Sequence, residues 1–198
     1  MANTKERILD VTAELFRKYG YNGTGLKQIV VNANAPFGSV YHFFPGGKEQ
    51  LGEEVIRRSG EMYMEIVLAV FNGAPDIVSG VRDSFLGAAE VLRQTDYEDA
   101  CPIATVALEV ASSNDTLRQA TADVFQMWIE RAASPLVDAG VPKKRAHELA
   151  VVFIQLLEGG FLLSRAARNT DALDIAGRTA TALVKDAILD AKRRKRRT

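Results

Sequence analysis

Between Thr24 and Leu51 the chain collects Lys27, Ser39, Tyr41, His42 and Lys48, with Glu49 as the only carboxylate in the stretch. Donors and cations at that density suit a polyanion. An ammonium neutralises a phosphate, and hydroxyl, phenol and imidazole N–H groups donate to its oxygens. Gly38 and Ser39 are small enough to let a helix end come close to a phosphate. Phe37 beside them offers an apolar edge. That edge could touch a thymine methyl, one route of direct base reading, or act as a hydrophobic staple over a turn. The staple is the preferred reading of the residue type alone. His42, one of only two histidines, reads equally well as a plain surface residue. For Tyr41 the alternative is packing against the first helix, and for Lys27 and Lys48 it is plain solvation. Their place at the rim of a tight turn favours the anion.

Other chemistries fail on spacing. Gly46-Gly47-Lys48-Glu49 has the Gly-Lys pair of a Walker loop, but His42 and Glu49 stand where the first glycine and the Ser/Thr belong. His42, His147 and Cys101 show no metal-ligand spacing. There is no G-x-S-x-G elbow. Cys101 before Pro102 sits at a helix start, which can lower a thiol pKa, but a small buried hydrophobe is the commoner role. Asn22-Gly23-Thr24 is a sequon by chance. The expectation is no catalytic residue, no metal, no cofactor and no enzyme.

Helices must position these groups. Residues 4–19 put Ile8, Val11, Leu15, Phe16 and Tyr19 at helical spacing, with Asn3 and Glu6 as a capping box and Gly20 as the stop. Two short helices follow at about 26–33 and 37–44, and Asn34-Ala35-Pro36 between them leaves room only for a helix–turn–helix. Asn34 takes the positive φ that the turn needs, and Pro36 pre-sets the entry to the second helix. Pro45-Gly46-Gly47 breaks the chain before a long helix at about 48–71. Further helices are read at about 76–95, 103–111, 115–137, 143–168 and 171–190, separated by Gly, Pro, Asn and Asp punctuation.

At these residues the sequence resembles the TetR family of transcriptional repressors. The resemblance is carried by Thr24-Gly25-Leu26-Lys27-Gln28-Ile29, by Ala33 through Phe44, and by Lys48-Glu49-Gln50-Leu51. Tyr41-His42-Phe43-Phe44-Pro45-Gly46-Gly47-Lys48-Glu49 together with Cys101-Pro102-Ile103-Ala104 looks like the LmrA/YxaF-like subgroup. The family usually carries Gly at 34, Ser or Thr at 36 and Lys or Arg at 37. Phe37 therefore removes a cation that would meet DNA. The resemblance implies phosphate contacts from Lys27, Ser39, Tyr41, His42 and Lys48, with Phe37, Gly38 and the exposed face of the short helix at base edges.

It also implies an all-α chain of about nine helices: a three-helix DNA-binding domain over 1–47, a ligand-binding and dimerisation domain over 48–191 and a basic tail over 192–198. In the second domain Phe85, Phe125, Trp128, Phe153 and Gln155 are candidates to line a pocket, although core packing is the ordinary role of each. Gly159-Gly160 costs helix stability, which close approach of another helix would offset. With Ala176, Ala180 and Leu183 these glycines are the candidate dimer face, and packing within one chain is the alternative. The partners implied are a pseudo-palindromic double-stranded operator, a small apolar or aromatic effector and a second copy of the chain. A helical carrier or enzyme with an incidental helix–turn–helix is the alternative, and a sequence-neutral binder using the tail is a third.

Composition agrees. The chain has 198 residues with 25 Lys+Arg and 25 Asp+Glu, but the charge is uneven. Residues 1–50 carry six basic against four acidic groups, residues 51–191 carry 13 against 21, and Lys192 to Arg197 are all basic. One cysteine cannot form an internal bridge, and Met1 to Asp10 is polar. The most apolar stretch, Leu149 to Leu163, is interrupted by Gln155 and Glu158. No secretory signal and no membrane span are read, and the expected setting is the cytoplasm.

Overall fold

The computed structural model describes residues 3–99 and 101–195. Among them are nine α-helices and no strand: α1 Thr4–Tyr19, α2 Leu26–Asn32, α3 Gly38–Phe43, α4 Gly47–Gly73, α5 Ile77–Gln94, α6 Pro102–Val110, α7 Asp115–Asp138, α8 Lys143–Ala167 and α9 Asp171–Lys195. The helix ends fall close to where they are read, although the capping box of Asn3 and Glu6 is reduced to its asparagine, with Glu6 paired to Arg58. Asn3 accepts from the Lys5 N–H and opens α1, while Gly20 at φ 70° closes it. Asp76 caps α5 through the Ser79 N–H, and Asn114 caps α7 through the Leu117 N–H at 2.9 Å. Cys101 is the N-cap of α6, its Sγ accepting from the Ala104 N–H at 3.4 Å. At the far end α9 continues through Lys192–Lys195 instead of stopping before the tail. Cations in a last turn are favoured by the helix dipole. The rest of the basic tail, Arg196 to Thr198, lies outside the described residues.

The chain forms two compact units, residues 1–62 with 100–125, and residues 63–99 with 126–198. The sequence boundary at 47/48 therefore falls inside the first unit, which takes in the start of α4 and all of α6. That unit is built on Ile8, Phe16, Ile29, Val40, Phe44 and Leu51, all fully buried. The buried Thr12 hydroxyl donates to the Ile8 carbonyl at 2.6 Å, so it costs little inside an apolar core.

In the second unit α5 and α8 both pack on α9. Phe153 meets Phe71 and Phe85 edge-on, at 5.8 and 5.4 Å between centroids. A Cβ on Gly177 would stand 2.8 Å from the Phe85 Cβ, so glycine is what lets α9 approach α5. A Cβ on Gly160 would stand 2.7 Å from Leu173. Here the candidate dimer face needs correction. Gly160, Ala176 and Ala180 are buried inside one chain, Gly160 against Leu173 of α9, which is the alternative the sequence left open. Gly159 faces open space and Leu183 is half-buried. By length and composition alone α8 is apolar enough to cross a membrane, yet Ala146, Leu149, Ala150, Phe153, Gly160 and Ser164 form a buried stripe within the fold.

Candidate nucleic-acid interface

The turn between α2 and α3 is closed by backbone and held by one side chain. Asn34 sits at φ 46°, as its residue type predicts. The Asn34 and Ala35 N–H groups donate back to Val31 and Val30 at 3.2 and 2.9 Å. Arg7 of α1 then reaches across 26 positions of sequence. Its Nε donates to the Ala33 carbonyl at 3.1 Å and its Nη2 to the Asn34 carbonyl at 3.3 Å. A guanidinium at the C-terminal end of α2 satisfies carbonyls the helix cannot and meets the negative end of its dipole. The Ser39 N–H donates to the Pro36 carbonyl at 2.9 Å and starts α3.

A second set of contacts fixes the loop before α2 and the start of α4. Lys48 Nζ donates to the Tyr21 carbonyl at 2.7 Å and lies 4.2 Å from the centre of the Tyr21 ring. Burial lowers the Lys48 pKa, and the carboxylate of Glu109 partly opposes it. Burial, then Glu49, raises that of the Tyr21 phenol. Glu109 of α6 accepts from the Asn22 N–H at 2.8 Å. A Cβ on Gly20 would fall on that carboxylate, so the glycine is needed for space as well as for its backbone. Lys5 pairs with Glu54 at 2.6 Å, and Arg58 pairs with Glu6 and Asp10, each at 3.0 Å, so α1 is tied to α4 by charge.

What this frame presents outward is a short polar and aromatic surface. Lys27, Phe37, Gly38, Tyr41 and His42 are exposed, and Ser39 is half-buried. The Phe37 and Tyr41 rings meet at 6.1 Å, tilted by 54°. The contact spans the first turn as a staple would, but Phe37 remains 52% exposed. The staple contact is thus present, and about half of the ring is still left to solvent. A Cβ on Gly38 would meet nothing within 4 Å, so the fold does not require a glycine there. Lys48 gives one of its three N–H donors to the Tyr21 carbonyl, a contact that the sequence does not show. Arg7 and Glu109 carried no signal in the sequence, since their partners lie 26 and 87 positions away.

Residues 8–55 match the family described as bacterial regulatory proteins, tetR family, and residues 78–179 match the C-terminal domain of transcriptional regulators of LmrA/YxaF type. An HTH-type transcriptional regulator of Mycobacterium tuberculosis is 33% identical over 183 residues, 90% of this chain and 92% of that protein. The chain belongs to the TetR family of transcriptional regulators. The fold agrees. A TetR regulator from Legionella pneumophila superposes with a TM-score of 0.79 at 26% identity, covering 91% of this chain and 96% of that one. The regulator CifR, solved with a 26-base-pair operator, superposes with a TM-score of 0.75 at 18% identity, covering 89% and 94%.

The pocket candidates of this regulator do not line one cavity. Phe85, Trp128 and Phe153 are buried in the second unit, half-buried Phe125 belongs to the first, and Gln155 is exposed on α8. Of the five only Phe153 borders the apolar cavity of the second unit, with Phe71, Val81, Leu136, Leu149 and Val184 among its other walls. That cavity holds about 10 Å³, the room of a single water. An aromatic molecule enters only if these side chains part.

Proposed function

We propose that this regulator is a homodimeric repressor. Its α3 reads a pseudo-palindromic operator, and its second unit takes a small apolar or aromatic molecule that weakens the operator complex. The observation that carries the DNA half is the outward face of α3, where Phe37, Tyr41 and His42 stay exposed on a turn clamped by Arg7. In this reading Lys27, Tyr41, His42 and Ser39 donate to phosphates, and Gly38 lets the backbone come close. Lys48 holds the Tyr21 loop and the start of α4, with any phosphate contact secondary to that. The dimer half rests on α8 and α9, where Leu162, Leu163, Ile175 and Leu189 are exposed and Gly159 faces open space. Two such helices from each copy make a four-helix interface.

The effector half rests on the apolar cavity and on α4 as one continuous helix with residues in both units. A coupling of about 1–3 kcal/mol lowers operator affinity about 5- to 150-fold, and operator must weaken the effector by the same factor. Trp128, the only tryptophan, reports on this unit by fluorescence.

Selection of bound genomic fragments followed by footprinting tests the reading. Two protected half-sites about 34 Å apart, or somewhat more, are expected. A single asymmetric half-site at full occupancy refutes the dimer. Affinity that is salt-dependent but indifferent to sequence refutes the operator.

A further inference from the structure

We infer that Phe37 reads the 5-methyl group of one thymine in each operator half-site. The inference rests on the DNA-binding reading above and names the chemistry of one of its contacts.

Phe37 and Tyr41 are each 52% exposed, one turn apart at the entry to α3. The buried side of this six-residue helix is Val40, so the two rings contribute little to the core. Their mutual contact does restrict Phe37, and a side chain already restricted loses less freedom when it is covered. Gly38 beside it has open space where a Cβ would stand, so nothing on that side of α3 blocks an approach.

The chemistry then selects the partner. From Gln28 to Gly47 the sequence has no Lys and no Arg. The two-pronged contact of a cation with guanine therefore cannot come from α3. Ser39, Tyr41 and His42 supply hydrogen bonds, but Phe37 has no atom that can donate or accept. The thymine methyl is the one apolar group that the base pairs present in the major groove. Covering the cytosine amino group with Phe37 instead would desolvate a donor and leave it unpaired. An exposed ring with no polar atom, on the outward face of a helix without lysine or arginine, has the methyl as its matching surface.

Burying one methyl is worth about fourfold in affinity, so two symmetric methyls are worth about fifteenfold. The test uses the full-length protein and a selected operator. Each thymine of a half-site is replaced in turn by deoxyuridine, symmetrically in both halves, which removes the methyl and leaves pairing intact. Affinities of wild type, Phe37→Ala and Phe37→Leu are measured by fluorescence anisotropy at one salt concentration. One symmetric pair of replacements is expected to weaken the wild type about fifteenfold and Phe37→Ala less than about twofold, with Phe37→Leu between. Phe37 is half in solvent, so melting of the variants near the wild-type temperature shows that the fold is intact. If no thymine is sensitive, or if the sensitive one stays equally so in Phe37→Ala, the inference is overturned while the operator reading stands. If wild type binds every duplex alike, both fall.

Discussion

Gly20→Ala tests whether the loop between α1 and α2 is held as the contacts imply. Gly20 sits at φ 70°, ψ −177°, a region essentially closed to other residues, and forcing a side chain there costs about 1–3 kcal/mol. The new methyl also lands on the Glu109 carboxylate. That carboxylate is the end of a flexible side chain and can swing away, but it then abandons the Asn22 N–H that it holds at 2.8 Å. An exposed hydrogen bond of this kind, to a carboxylate, is worth about 1 kcal/mol. The total is about 2–4 kcal/mol, a fall in Tm of about 5–15 °C for a chain of this size. A double-mutant cycle separates the two parts. Glu109→Ala alone removes only the bond. The double variant Gly20→Ala/Glu109→Ala should melt close to Gly20→Ala, because the bond is lost once in either case. The interaction energy is then about 1 kcal/mol in magnitude. Thermal unfolding followed by helical circular dichroism reads all four proteins. Full additivity would mean that Glu109 is not displaced by the methyl. A Gly20→Ala protein melting like wild type would refute both the backbone and the contact argument.

Asn34→Gly should be tolerated, whereas Asn34→Val at φ 46° should cost about 1–3 kcal/mol; equal Tm values for the two variants would remove the positive-φ argument. Leu162→Glu with Leu163→Glu, both on the exposed side of α8, should leave the helical signal intact and convert a dimer to monomer in sedimentation, with operator affinity lost in parallel. An unchanged dimer would place the interface elsewhere. The Asp76 carboxyl is held below its usual range, first by the hydrogen bond from the Ser79 N–H. A depressed carboxylate adds stability above the unfolded pKa, and that stability disappears as pH falls through the folded value. The Tm gap between wild type and Asp76→Ala should therefore be full near pH 6 and shrink below about pH 4. A gap that is constant from pH 6 to acid would show that the charge contributes nothing to the α5 cap.

The helices were legible because their signals are local. Apolar spacing along α1, the Asn3 cap, the Gly20 stop and the positive-φ Asn34 each act within a turn of themselves, and the structure places them where the residue types say. The turn between α2 and α3 was legible for the same reason: Asn34-Ala35-Pro36 between two short helices leaves room for one geometry. What holds that turn in place was not legible. Arg7 on the Ala33 carbonyl, Glu109 on the Asn22 N–H and Lys48 on the Tyr21 carbonyl join residues 26, 87 and 27 positions apart. A sequence shows Arg7 as one more charged residue on an amphipathic helix and Glu109 as an ordinary surface acid. The small-residue positions of α8 and α9 were ambiguous for a different reason. Glycine and alanine permit close approach of any helix, and periodicity does not say whether that helix belongs to the same chain. The answer splits within one dipeptide: Gly160 meets Leu173 of α9, while Gly159 meets nothing. Adjacent residues on a helix point about 100° apart, so α8 can spend one glycine on its own fold and keep the next for a second copy. The same geometry separates Val40, which is buried, from Tyr41, which is exposed, on α3. In both helices the face proposed above for a partner is one that the chain's own core leaves uncovered.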